Sequence, residues 1–291
     1  MTTTCAFLFP GQGRLPDTFP AIPAALDGLV ASMRNAGLPV DAWIEGDALD
    51  ESVGTDVAQP MLLLDSLVRE ARLLSAGWKP DAVAGHSLGE YAALVSAGAL
   101  GGQDAMRAVI HRSRLMQDVR GSMAAILKLD VATVSALCDG TQAVVANHNA
   151  AEQIVISGPQ EDVEQVMARA ETEGARTIRL KVSGPFHSPM MEPAERALEP
   201  LLRSMTFSSA RIPVVSGVSG RVERDSDTLR ALLIRQITAP VHWVDVTATL
   251  EASGIDVAIE VGSGDVLTRL GRRSGAAIRF LTYEEALNER G

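Results

Sequence analysis

The chain is 291 residues long, carries a formal net charge of −10, and is 46% hydrophobic but only 4% aromatic. That charge argues against general binding to nucleic acid or to an anionic membrane surface, while leaving room for a local basic patch. The length suits one large α/β unit, or a large unit carrying a smaller one, with Ala, Val and Leu filling most of the core.

The amino-terminal stretch lacks a basic region followed by a long apolar run, and no apolar segment is long enough to span a bilayer, so a cytoplasmic protein is expected. Cys5 and Cys138 have neither metal-ligand spacing nor a disulfide framework and read as small core residues. Residues 5–9 read as a buried strand, stopped by Pro10-Gly11-Gln12-Gly13. Taken alone, that turn is either plain punctuation or a set of exposed N–H groups, that of Gln12 included, aimed at an anion. Pro16, Pro20 and Pro23 make the next part irregular, residues 24–36 look helical, and the acidic run from Glu45 to Asp56 suggests a solvated loop or short helix. From Ala58-Gln59-Pro60 a helix is predicted to about Ala76, broken by Gly77-Trp78-Lys79-Pro80.

A short apolar run at 82–84 then enters Gly85-His86-Ser87-Leu88-Gly89, and Glu90-Tyr91-Ala92-Ala93-Leu94-Val95 continues at helical spacing. Strand, tight turn carrying serine, helix: this is the pattern of a nucleophile elbow, which presents a hydroxyl near the positive end of the following helix. The pentapeptide alone is a weak signal; its flanking elements strengthen it. The next helix, from Gln103 to about Val119, carries His111 and the three arginines Arg107, Arg112 and Arg114, which by themselves read as a solvated face.

Residues 122–184 look like a self-contained insert of βαββαβ order, the ferredoxin-like arrangement, with Asn147-His148-Asn149 as a polar turn between its two middle strands. His148 there reads as a solvated turn histidine. In Gly184-Pro185-Phe186-His187-Ser188-Pro189 a histidine between two prolines cannot sit inside a helix. It is either an incidental residue in a returning linker or an imidazole presented to Ser87 at a domain junction. A helix to about Ser204 follows. Strands at Pro213–Ser216 and Val257–Val261 then complete the larger unit, which Gly262-Ser263-Gly264 closes. The expected fold is α/β: a large α/β-hydrolase-like parallel-sheet domain (1–121 and 185–291) with an inserted ferredoxin-like subdomain (122–184). No zinc-type spacing, P-loop or dinucleotide fingerprint is present.

Phe9-Pro10-Gly11-Gln12-Gly13, Ala58-Gln59-Pro60 and Gly85-His86-Ser87-Leu88-Gly89-Glu90-Tyr91 stand in an order that resembles the malonyl-CoA:acyl-carrier-protein transacylases. So do Arg112 with Leu115-Met116-Gln117, Met123-Ala124-Ala125-Ile126, Gly184-Pro185-Phe186-His187-Ser188-Pro189-Met190, Pro240-Val241-His242-Trp243 and Glu260-Val261-Gly262-Ser263-Gly264. The resemblance spans nearly the whole chain. It implies malonyl transfer from malonyl-CoA to the phosphopantetheine thiol of an acyl carrier protein, with Ser87 as nucleophile and His187 as general base. By the same resemblance the carbonyl of Gln236 orients the imidazole, the N–H groups of Gln12 and Leu88 form the oxyanion hole, Arg112 grips the malonyl carboxylate, and Phe186 favours malonyl over methylmalonyl. No bound cofactor or metal is implied. The implied partner is an acidic carrier, met by Arg176, Arg179 and Lys181 or by Arg272 and Arg273, and the chain is expected to be a monomer serving fatty-acid or polyketide synthesis.

Two departures stand out. The segment Arg14-Leu15-Pro16-Asp17-Thr18-Phe19-Pro20 lacks the family's usual Ser-Gln and Gly-Met-Gly run, and Ser263 replaces its usual proline. Rival readings are an acyl-thioester hydrolase on the same scaffold, the transferase subunit of malonate decarboxylase, and an inert carrier-binding scaffold. A generic esterase would need a late histidine, for which His242 is the candidate. Arg112 favours malonate transfer over hydrolysis, and the intact Ser87, His187 and Arg112 argue against a scaffold.

Overall fold

The computed structural model of the chain describes residues 3–13, 15, 21–46, 53–182 and 184–290. The departing segment after Gly13 falls largely outside them, as does Ser183. Strand β1 (Cys5–Phe9) is apolar at every position because both of its faces are covered: Cys5, Phe7 and Phe9 pack on one side, Ala6 and Leu8 on the other. Helices α1 (Asp27–Asn35), α2 (Val40–Ile44) and α3 (Thr55–Ser75) follow. Helix α3 starts ahead of Ala58-Gln59-Pro60 rather than at it. Pro60 is therefore interior, and the Asp56 carbonyl it leaves without a helical partner accepts a hydrogen bond from Ser113 Oγ at 3.2 Å. Strand β2 (Ala82–Gly85), α4 (Gly89–Ser96) and α5 (Gly102–Gln117) complete the first half.

A second sheet comprises β3 (Ser122–Leu127), β4 (Val144–Ala150), β5 (Gln153–Gly158) and β6 (Arg176–Arg179), with α6 (Val131–Cys138) and α7 (Gln160–Thr172) between them. Its strands pair antiparallel in the order β4-β5-β3-β6, which is the ferredoxin-like order. Ala124, Ile126, Ile154 and Ile156 seal one face against Val163 and Val166 of α7, while Met123, Ala125 and Val155 turn toward the core of the larger sheet. Asn147-His148-Asn149 is not a turn, contrary to the sequence reading. The residues lie in β4, where register shifts between Val145 and Asn147 and between His148 and Ala150 let a polar run stay in the sheet. The same strand meets the larger layer: His148 N–H donates to Val241 O at 2.8 Å, and Val241 N–H to Ala146 O at 2.9 Å.

The remaining elements are α8 (Glu192–Ser204), β7 (Val214–Val215), β8 (Val222–Glu223), α9 (Ser226–Arg235), α10 (Trp243–Ala252), β9 (Val257–Glu260), α11 (Val266–Arg273), β10 (Arg279–Leu281) and α12 (Tyr283–Asn288). The larger sheet runs β10-β9-β1-β2-β7-β8, parallel except for β8. The two edge strands, β8 and β10, are short and were not anticipated. Because β1, β2 and β9 are parallel neighbours, the turns at their carboxyl ends emerge side by side, where ligands bind in open α/β sheets. No helix among the described residues is long and apolar enough to cross a membrane.

Candidate active site

The turn after β2 is forced by close packing. A Cβ on Gly89 would lie 2.0 Å from the Phe9 carbonyl oxygen, and one on Gly85 would lie 2.2 Å from the Glu90 nitrogen, so neither position admits a larger residue. His86 N–H donates to Phe9 O at 2.9 Å and ties the turn to the end of β1. Ser87 between them adopts φ 51°, the left-handed region that an ordinary residue enters only when its surroundings demand it. Its hydroxyl stands at the amino terminus of α4.

His187 reaches that hydroxyl from the chain leaving the second sheet. Its own φ is 58°, its N–H donates to Ile237 O at 3.2 Å, and Ser188 Oγ donates to Pro185 O at 2.6 Å beside it. Imidazole Nδ1 lies 2.9 Å from Gln236 O and 3.0 Å from Ala239 O; two carbonyls can only accept, so Nδ1 carries the hydrogen. Nε2 is then the lone-pair nitrogen, and it faces Ser87 Oγ at 2.8 Å. Burial, the nearby Arg112 cation and His86 push the imidazole pKa down to about 3, against the lesser pull of the carbonyls. A neutral imidazole with this tautomer is ready to take the serine proton.

Arg112 on α5 is 1% exposed, while its helix neighbours Arg107 and Arg114 bond at the surface to Asp104 and to Ala36 O. The solvated-face reading thus holds for those two and fails for Arg112, which α3 covers. Its guanidinium donates to Gln59 Oε1 at 2.6 Å, to Gln236 Oε1 at 3.1 Å and to Ser87 Oγ at 3.4 Å. Burial lowers its pKa, yet an arginine keeps its charge. Among the described residues its hydrogen-bond partners are these three neutral side chains, with no carboxylate among them, and its Nε is buried without a partner.

A cavity of about 530 Å³ opens in front of Ser87, walled by the Pro10–Gly13 turn, Phe186, His187 and the 263–265 turn on one side and by Met123, Ala125 and Val155 of the second sheet on the other. Among the described residues, the main-chain N–H groups of Gln12 and Leu88 donate to no other backbone group. His86 Nε2 lies 2.9 Å from Asn149 Oδ1 across the cleft, with the His86 ring against Trp243. Sequence reasoning missed the side chains of Gln59 and Gln236, the Ala239 carbonyl and this His86–Asn149 contact. Late His242 faces Asp245 at 3.8 Å, and it is His187 that meets the serine. Among the described residues, no group of acidic, His or Cys side chains could hold a metal ion.

The sequence profile of the acyl transferase domain matches residues 7–279. The malonyl CoA-acyl carrier protein transacylase of Bacillus subtilis (strain 168) is 36% identical over 296 residues, spanning 96% of this chain and 93% of its own. The solved structure of the malonyl CoA-acyl carrier protein transacylase from Coxiella burnetii gives a TM-score of 0.89 at 32% identity, covering 99% of this chain and 97% of that one. A type II PKS acyl-carrier protein in complex with its malonyl-transacylase matches at a TM-score of 0.89 and 29% identity, over 99% of this chain and 100% of that one. Likeness of this breadth, in sequence and backbone together, makes the chain a member of the acyl transferase domain family.

Proposed function

We infer that this protein moves a malonyl group from malonyl-CoA to the phosphopantetheine thiol of an acyl carrier protein through a malonyl-serine intermediate. The observation that carries the reading is Arg112: a buried guanidinium with no carboxylate among its hydrogen-bond partners, whose Nη2 lies 3.4 Å from the hydroxyl of a serine–histidine pair. A buried charge with no carboxylate in direct contact is costly, so the site favours an acyl group that brings its own. A planar guanidinium can hold that carboxylate through two parallel hydrogen bonds, which acetyl cannot accept.

In the first half-reaction His187 Nε2 takes the Ser87 proton as Oγ attacks the thioester carbonyl. The charge that develops on the carbonyl oxygen falls to the N–H groups of Gln12 and Leu88. Collapse breaks the C–S bond, the coenzyme A thiolate takes the proton from His187, and the malonyl ester stays on Ser87. The carrier thiol then gives its proton to His187, attacks the ester, and leaves as the malonyl thioester while Ser87 recovers its proton. The Gln236 carbonyl holds the imidazole in the required tautomer. Phe186, 7% exposed, forms the apolar wall that favours malonyl over branched relatives. No bound cofactor enters; the reactive thiols arrive on coenzyme A and on the carrier.

The same reading takes residues 122–184 as the inserted subdomain and the protein as a cytoplasmic monomer. For an acidic carrier, exposed Arg176 and Arg273 are better placed than Arg179 and Arg272, whose guanidiniums already pair with Glu164 and Glu285. Initial rates measured against malonyl-CoA at several fixed carrier concentrations test the mechanism: parallel double-reciprocal lines are expected, and intersecting lines would contradict it.

A further inference from the structure

Glu90, the second residue of α4, is 5% exposed and has no cation among its hydrogen-bond partners in the described residues. Its Oε1 accepts from Gly217 N–H at 2.6 Å and from Ser216 Oγ at 3.2 Å, and its Oε2 accepts from Gln236 Nε2 at 2.8 Å. Burial pushes the carboxyl pKa up, against the smaller pull of its hydrogen bonds and of the Arg112 cation. The groups that face its two oxygens, a main-chain N–H, a hydroxyl and an amide NH₂, all meet it as donors, as a carboxylate requires. The other end of the Gln236 amide faces Arg112, whose Nη2 donates to Oε1 at 3.1 Å. An amide held between a carboxylate and a guanidinium has one workable orientation, with NH₂ toward the anion and oxygen toward the cation. The same Nε2 also donates to Ser87 O at 2.5 Å, and the main-chain oxygen of Gln236 accepts from His187 Nδ1. A carboxylate one amide away balances the buried cation without occupying the guanidinium edge that an acyl carboxylate needs.

We propose that Glu90 is a positioning residue: acting through the Gln236 side chain, its charge keeps the Arg112 guanidinium turned toward Ser87 and so sets the preference for a carboxylate-bearing acyl group. This rests on the malonyl-transfer reading. In Glu90→Gln one of two contacts must fail. If the new amide points its oxygen at Gln236, its NH₂ meets the Gly217 N–H. If it points the other way, Gln236 must flip and present NH₂ to Arg112.

The test compares transfer to carrier protein from malonyl-CoA and from acetyl-CoA. Glu90→Gln is expected to lower kcat/KM for malonyl-CoA by about 10- to 100-fold and for acetyl-CoA by no more than about 3-fold. Glu90→Asp keeps the charge and should hold the malonyl/acetyl ratio within about 3-fold of the wild type. In an Arg112→Ala background, Glu90→Gln should not change the ratio further, because the residue through which it acts is gone. Equal losses on both substrates, a ratio that falls as far in Glu90→Asp, or an additive effect in the Arg112→Ala background would reduce Glu90 to a scaffold residue and overturn the proposal. Should Glu90→Gln not fold, Gln236→Met, which removes the amide bridge, must narrow the ratio in its place, and an unchanged ratio there overturns the proposal equally. A wild-type chain that transfers malonyl no better than acetyl would sink the underlying reading instead.

Discussion

Ser87 and His187, one hundred positions apart, meet at 2.8 Å with both backbones in the left-handed region, at φ 51° and 58°. Neither residue is glycine, so each turn stores strain that its neighbours must hold in place. The nucleophile and the base thus share a cost that only function explains.

Replacing the serine should expose that cost. Ser87→Gly is expected to abolish acyl transfer while raising stability by about 0.5–1 kcal/mol, since glycine adopts positive φ without strain. Chemical denaturation of both proteins checks this. A variant that loses stability would show that the Ser87 contacts outweigh the strain.

Arg112→Ala should lower kcat/KM for malonyl-CoA by about 100-fold or more and leave acetyl-CoA transfer unchanged or improved, because only the dicarboxylic acyl group uses the guanidinium. Arg112→Lys should recover little, since an ammonium cannot span Gln59, Gln236 and the substrate at once. Competition between the two acyl-CoAs measures the ratio directly.

The imidazole of His187, ordinarily titrating at 6.5, is held down at about 3 by burial and by the nearby cation. The first half-reaction should therefore show no inflection near 6.5 as the pH falls from about 8 to about 5. Below 6.5 the unfolded chain takes a proton that the folded one refuses, so stability falls from 6.5 toward about 3. His187→Gln should flatten that part of the stability profile, as read by denaturation at a series of pH values.

Glu70 lies buried on α3, and burial lifts its carboxyl from 4.5 to about 7. Between those values the folded state holds a proton that the unfolded state has lost, so its contribution is intact below 4.5 and lost as the pH rises through about 7. Glu70→Gln is expected to stabilise by about 2 kcal/mol at about pH 8 and to be neutral near pH 4. Thermal unfolding at the two pH values decides; equal effects at both would contradict the assignment.

The elbow is legible in the sequence because all its determinants are neighbours: a short apolar run, two obligatory glycines and a helix. The βαββαβ succession of the second sheet is legible because helical stretches separate most of its strands, although the boundary between β4 and β5 is not. Arg112 is different. It shares one helix with Arg107 and Arg114, and only the packing of α3 separates the buried guanidinium from the exposed ones. Asn147 and Asn149 look like turn residues by type, yet two bulges and the pairing with Val241 keep them in β4. The Gln59–Arg112–Gln236–Glu90 chain joins residues more than a hundred positions apart and has no local signature.

Intact-mass measurement after mixing the chain with malonyl-CoA in the absence of carrier reads the acyl-serine intermediate itself. One malonyl group on Ser87 is expected, absent from Ser87→Ala and discharged when the carrier thiol is added. A chain that stays unmodified, or one whose malonyl group is lost to water as fast as to the carrier, would contradict it.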